Sequence, residues 1–107
     1  MRTVGCDADG YQWEVEVTGR FERQDGNIDY DNVGGLGPFA SADEARSAAQ
    51  EILYKTVGQF RAHALADPYG EASGFPDAGI VEGVSIHRFN ADGIDWNSAA
   101  AVSLTTR

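Results

Sequence analysis

SADEARSAAQEILYKTVGQFRAHAL, residues 41–65, is the one stretch of this chain able to form a long helix, and its reading decides the fold. Ser41 stands at an N-cap position, and Glu44 three residues on completes the S-x-x-E pattern in which side chains satisfy the orphan N–H groups of the first turn. Ala45, Ala48, Ala49, Ile52, Leu53, Val57, Phe60 and Ala64 then recur as the apolar stripe of an amphipathic helix. Asp43, Arg46, Ser47, Gln50, Glu51, Lys55 and Gln59 take the other face, with acids early and Lys55, Arg61 and His63 late, as the helix dipole favours. Gly58 is the weak point, at a cost of about 1 kcal/mol against alanine. Pro68 ends the helix, because it disfavours the α conformation at Asp67.

Working outward, two pairs of strands flank this helix. Tyr11, Trp13, Val15, Val17 and Phe21 alternate with Gln12, Glu14, Glu16, Thr18 and Arg20, the period of two expected of a strand with one buried face. Residues 1–6 read as a short strand before the Asp7-Ala8-Asp9-Gly10 turn. Residues 24–27 form a hairpin turn, residues 28–33 a short, acidic returning strand suited to a sheet edge, and Gly34-Gly35-Leu36-Gly37-Pro38 a flexible connector to the helix. After a loop over residues 67–79, residues 80–89 form a strand with Val84 and Ile86 on one face and Val81 and Phe89 on the other, and a bulge near Gly83. Asn90-Ala91-Asp92-Gly93 turns into a last strand whose expected core face is Ile94, Trp96, Ser98, Ala100, Val102 and Leu104. The expected fold class is α+β: a β-β-α-β-β single domain over residues 1–107, one twisted, mainly antiparallel sheet with a single long helix on one face. Trp13, Val15, Val17, Ile52, Phe60, Trp96 and Val102 would share its core.

Charge carries the functional reading. The chain has 17 acidic side chains against 8 basic ones, a net charge of -9 that opposes direct binding to nucleic acid or to anionic membranes. Cys6 is the single cysteine, which excludes an internal disulfide and fits a reducing cytoplasm, and neither an apolar signal core nor a membrane-length apolar run is present. Eight of the acids fall within the first 31 residues. Glu14 and Glu16 on the first strand, with Asp25, Asp29 and Asp31 on the hairpin arm, are read as one negative surface able to steer and bind a basic protein.

Motifs for other chemistry are weak. Asp25, Asn27, Asp29 and Asp31 take alternate positions as in a calcium loop, but Tyr30 and Leu36 stand where that loop needs glycine and glutamate, so the solvated face of a hairpin is the better account and no metal site is expected. Gly34-Gly35-Leu36-Gly37 ahead of a helix invites comparison with an anion cradle, but Asp43 and Glu44 would repel an anion there. Cys6, His63 and His87 are the only imidazole or thiol groups. No nucleophile motif, P-loop or dinucleotide fingerprint accompanies them, so neither a catalytic residue nor a cofactor is expected. For His63 the expected role is to complement a helix end, and for His87 a surface strand position. The resulting expectation is a small acidic, non-enzymatic binding module that inhibits or regulates a basic nucleic-acid-handling protein, in the manner of an immunity protein or a phage-encoded anti-defence protein. Two alternatives stand beside it: a structural subunit that forms a homodimer through a sheet face or edge, and a small metal-dependent or ligand-binding enzyme.

Overall fold

The computed structural model describes residues 5–66, 71–72 and 74–103. Residues 1–4 of the expected first strand, the Pro68 stop signal and Leu104 lie outside them, and Gly5 and Cys6 are not in a strand. The elements are β1 (Gln12–Glu22), β2 (Ile28–Phe39), α1 (Ala42–Ile52), α2 (Val57–Ala66), β3 (Glu71–Ala72), β4 (Ile80–Asn90) and β5 (Gly93–Val102). The α+β class stands. The expected single helix is two helices, and the main order is β-β-α-α-β-β.

The strands form one antiparallel sheet in the order β3-β2-β1-β4-β5. Alternation on β1 sorts its residues as expected: Val15 and Val17 are buried while Glu16 is exposed. Across β1, Val15 pairs with Leu36 and Ile86, and Val17 with Val84, so these side chains share one face. Ala45, Ala49, Ile52, Val57, Phe60 and Ala64 from both helices close over that face and complete the core.

The helix breaks at residues 53–56. Leu53 is extended (ψ 130°) and its N–H still bonds the Ala49 carbonyl, after which Tyr54 adopts a left-handed φ of 68°. The freed backbone is not left unpaired: Tyr54 N–H donates to Val81 O at 2.8 Å, and Val81 N–H donates to Lys55 O at 2.8 Å, tying the break to the start of β4. Thr56 and Gln59 then form a reciprocal capping box, each side chain accepting the other's backbone N–H at 3.0 Å, and α2 begins. The break thus falls four residues before Gly58. At α1, Ser41 Oγ accepts the Glu44 N–H at 3.2 Å, while the Glu44 carboxylate accepts the Ser41 hydroxyl rather than a backbone N–H.

Of three further expectations, two are corrected, and in the other the bulge is present but Val81 changes face. The supposed connector of residues 34–38 is strand, and β2 runs on to Phe39 as an inner strand with the two-residue β3 beside Gly34 and Gly35. Glycine is required where β2 presses on β1: a Cβ on Gly35 would stand 2.6 Å from the Val15 carbonyl oxygen, and Gly37, at φ 124°, leaves 3.1 Å to Trp13 O. Second, the bulge expected near Gly83 is present, with Glu82 as the extra residue between Val81 and Gly83, and it returns Val81 to the buried face with Val84 and Ile86. Third, β5 does not present the expected core face. Between the Ile86–Ala100 and Arg88–Asp95 pairs β5 carries surplus residues, so its alternation slips; Trp96 is 63% exposed, Ile94 39%, and among the described residues of the expected set Val102 alone is buried.

Candidate functional site

The side of the sheet opposite the helices holds the one buried polar side chain among the described residues, His87. Glu14 and His87 are direct neighbours on β1 and β4, one step out of phase with Val15 and Ile86, and so point away from the helices. His87 is nonetheless only 3% exposed, which corrects its expected surface position. Two neighbours bury it. Glu14 Oε1 lies 2.6 Å from His87 Nε2, and since a carboxylate only accepts, the ring donates from Nε2. From β5, Trp96 lays its ring 5.4 Å from the imidazole, centroid to centroid, at 45°.

The β5 bulge sets Trp96 in that place. Ser98 Oγ accepts the Arg88 N–H at 2.8 Å and donates to the Asp95 carbonyl at 2.6 Å, while Asp95 Oδ1 accepts the Asn97 N–H at 3.1 Å. These bonds replace the strand pairing that surplus residues displace.

Of the expected binding residues, the structure brings some together and separates others. Glu16 follows Glu14 on the uncovered face, and Glu22 lies further along β1 on the same side. Asp31 pairs with Gly19 and Asp29 with Phe21, which puts both aspartates on the helix side of the sheet, beyond the helices' cover. Asp25 sits in the β1–β2 turn, where its Oδ1 accepts the Asn27 N–H, and Arg23 bridges it to Asp29 at 3.2 and 3.8 Å. The expected single acidic surface is therefore two surfaces. Exposed apolar groups accompany the β1 acids: Tyr30 (57% exposed) pairs with Arg20 and Ile28 (40%) with Glu22, on the same side.

A second polar cluster lies at the other face near the β4–β5 turn. Arg88 Nε donates to Asp95 Oδ2 at 2.8 Å, its guanidinium lies 4.1 Å over the Tyr11 ring, and Asp9 is 3.6 Å away; the Asp95 bond raises the Arg88 pKa above its ordinary value. Asp7 accepts N–H groups from Tyr11, Trp13 and Asp9, each at 2.9 Å. The Tyr11 backbone bond, then the Trp13 indole bond, hold its carboxyl below the usual 3.8. A shallow depression lined by Tyr11, Asn90, Asp92, Gly93, Ile94 and Asp95 adjoins this cluster and does not include His87. Arg88 already bonds Asp95 and pairs with Asp9, and Asp7 already accepts three N–H groups, so the cluster reads as structural.

For the other candidates, Cys6 is exposed and unbridged, and His63 on α2 stands 3.5 Å from Glu51 on α1, across the helix break. Among the described residues no three His, Cys, Asp or Glu side chains gather where they could hold a metal, and no helix is long and apolar enough to cross a membrane. No family model, curated protein or solved structure matches the chain.

Proposed function

We propose that this protein is a small acidic, non-enzymatic binding module that holds a basic protein partner against the sheet face its helices leave open. The observation that carries the reading is the composition of that face. Its central strand shows Glu14, Glu16 and Glu22 to one side, with Arg20 the one cation among them, 3.9 Å from Glu22, and Trp96 and Tyr30 stand exposed on the same face, a net acidic field with aromatic anchors. The net charge of -9 supports it, since long-range attraction raises the encounter rate with a basic surface and repels nucleic acid itself. A regulator or inhibitor of a nucleic-acid-handling protein fits this chemistry, because such proteins carry the clustered Lys and Arg that the face complements. His87 does not favour catalysis: Glu14 orients it as an orienting carboxylate would, but Trp96 covers the ring where a substrate would have to approach.

The test is capture from cell lysate on the immobilised protein at low and high salt, with each captured protein identified. Glu16→Lys with Glu22→Lys alters the open face; Asp29→Lys with Asp31→Lys alters the opposite one. The reading expects a basic partner that is lost at high salt, weakened by the first pair and retained by the second. Equal capture by both pairs, or an acidic partner, overturns it. A mass that grows with concentration and is insensitive to salt would instead favour pairing through β5, the outer strand of the sheet.

A further inference from the structure

We infer that Trp96, His87 and Glu14 form a receiving site for an arginine side chain of the partner, an inference that rests on the binding role proposed above and names the contact at its centre. The three residues lie in a row across β5, β4 and β1 on the open face, linked by the 5.4 Å ring contact and the 2.6 Å hydrogen bond. Glu14 holds His87 through Oε1, and its Oε2 has no partner among the described residues. Trp96 offers a bare indole surface, 63% exposed, on a bulge already fixed by Ser98 and Asp95.

A planar guanidinium is the cation that uses both elements. It stacks on an aromatic ring by its face and donates to a carboxylate through its edge, while an ammonium group is a strongly hydrated point charge that gains less from the ring. The chain meets the same demand internally: the Arg88 guanidinium covers the Tyr11 ring at 4.1 Å while bonding Asp95. Glu16, two residues along β1, adds negative charge for the neighbouring basic groups of a partner. Because the backbone under Trp96 and the His87 ring behind it are held before any partner arrives, less ordering cost falls on binding. Aromatic side chains that become buried on binding are what dominate protein interfaces.

The test titrates the full chain with two probes, nona-arginine and nona-lysine peptides, following the Trp96 indole N–H resonance and measuring Kd. The expected result is tighter binding of the arginine peptide by roughly three- to tenfold, with Trp96 shifted and Trp13 little changed. Trp96→Ala should remove that preference while leaving lysine-peptide binding in place; Glu14→Gln, which keeps an acceptor for His87, should weaken the arginine peptide more than the lysine one. Leu65→Ala, on α2 and 76% exposed, controls for loss of any exposed apolar side chain and should change neither. Equal affinities for the two peptides with no effect of Trp96→Ala overturn the arginine site and leave the acidic face standing. Failure of both peptides to bind overturns the acidic face as well. If Trp96→Ala instead abolishes a concentration-dependent dimer, the occupant of the face is a second copy of this chain, and the arginine site falls.

Discussion

Replacing Tyr54 by glycine and, separately, by alanine distinguishes a broken helix from a continuous one by the sign of a stability difference. Tyr54 is 58% exposed and takes a left-handed φ of 68°. Both variants lose the same phenol ring, so its packing contribution cancels between them, and both keep the backbone N–H that bonds Val81 O. What remains is the backbone. A left-handed conformation costs a residue with a Cβ about 1–2 kcal/mol, and glycine's greater freedom in the unfolded chain returns about 0.5–1 kcal/mol of that. Glycine should therefore be the more stable variant, by about 0.75 kcal/mol at mid-range, which for a domain of this size is a melting temperature about 3–6 °C higher. In an unbroken helix the order reverses, because mid-helix glycine is about 1 kcal/mol worse than alanine. Urea unfolding followed by tryptophan fluorescence, with thermal melts by circular dichroism, measures the difference. An alanine variant more stable than the glycine one would refute the break at Tyr54.

Two of the aromatic residues that the sequence alone places together in the core, Phe60 and Trp96, should part company. Phe60→Ala, at a fully buried position, is expected to cost about 3–5 kcal/mol, whereas Trp96→Ala should cost about 1 kcal/mol or less because the ring is largely exposed; equal losses in urea unfolding would contradict the bulge. Asp7 supplies a pH dependence of definite sign. Its folded-state pKa lies below the ordinary 3.8, so its stabilising effect is present above that value and is lost as pH falls through the lower folded value. The stability gap between the wild type and Asp7→Asn should accordingly be full above the ordinary carboxylate value and narrow as pH falls below it, as read from urea midpoints; a gap that stays constant with pH would show that the carboxylate's charge is not what the three N–H donors hold.

How far the fold is legible depends on where the information sits. β1 is readable because one of its faces is buried and the other wet, so Val15 and Val17 against Glu14 and Glu16 state the period directly. The second half of β2 is not, because Gly34-Gly35-Leu36-Gly37-Pro38 has a connector's composition; it is strand by its pairing with β1, and glycines stand there because a Cβ would meet Val15 O and crowd Trp13 O. The helix break is written in the chain as Thr56-x-x-Gln59, a second helix-start signal inside the long stretch. An unbroken apolar stripe masks it, since Val57, Phe60 and Ala64 suit both one helix and a second helix packed over the sheet. Trp96 carries a comparable warning. The face expected to be core includes Ser98, and a hydroxyl on a core face needs partners; it finds them in Arg88 N–H and the Asp95 carbonyl, the bonds that hold the bulge.

The site divides along the same line. Period two correctly sets Glu14 with Glu16 on one side of β1, and Asp29 with Asp31 on one side of β2, because each pair concerns a single strand. Whether the two pairs share a face is a matter of register, and a slip of one residue exchanges the faces of a whole strand. Here the register shifts between Val17 and Thr18, where β2 inserts Val33 into the core, and the returning arm presents Tyr30 and Ile28, not its aspartates, to the side of Glu16 and Glu22. That exchange makes the open face more than an acidic surface. Carboxylates from β1 alternate with exposed aromatic and aliphatic groups from its neighbours, so a partner can gain area as well as charge there, while Asp29 and Asp31 add to the field on the far side without lying in the same contact. Charge reversal on β1 and on β2 thus perturbs two faces separately, and one strand pair can report on which of them binds.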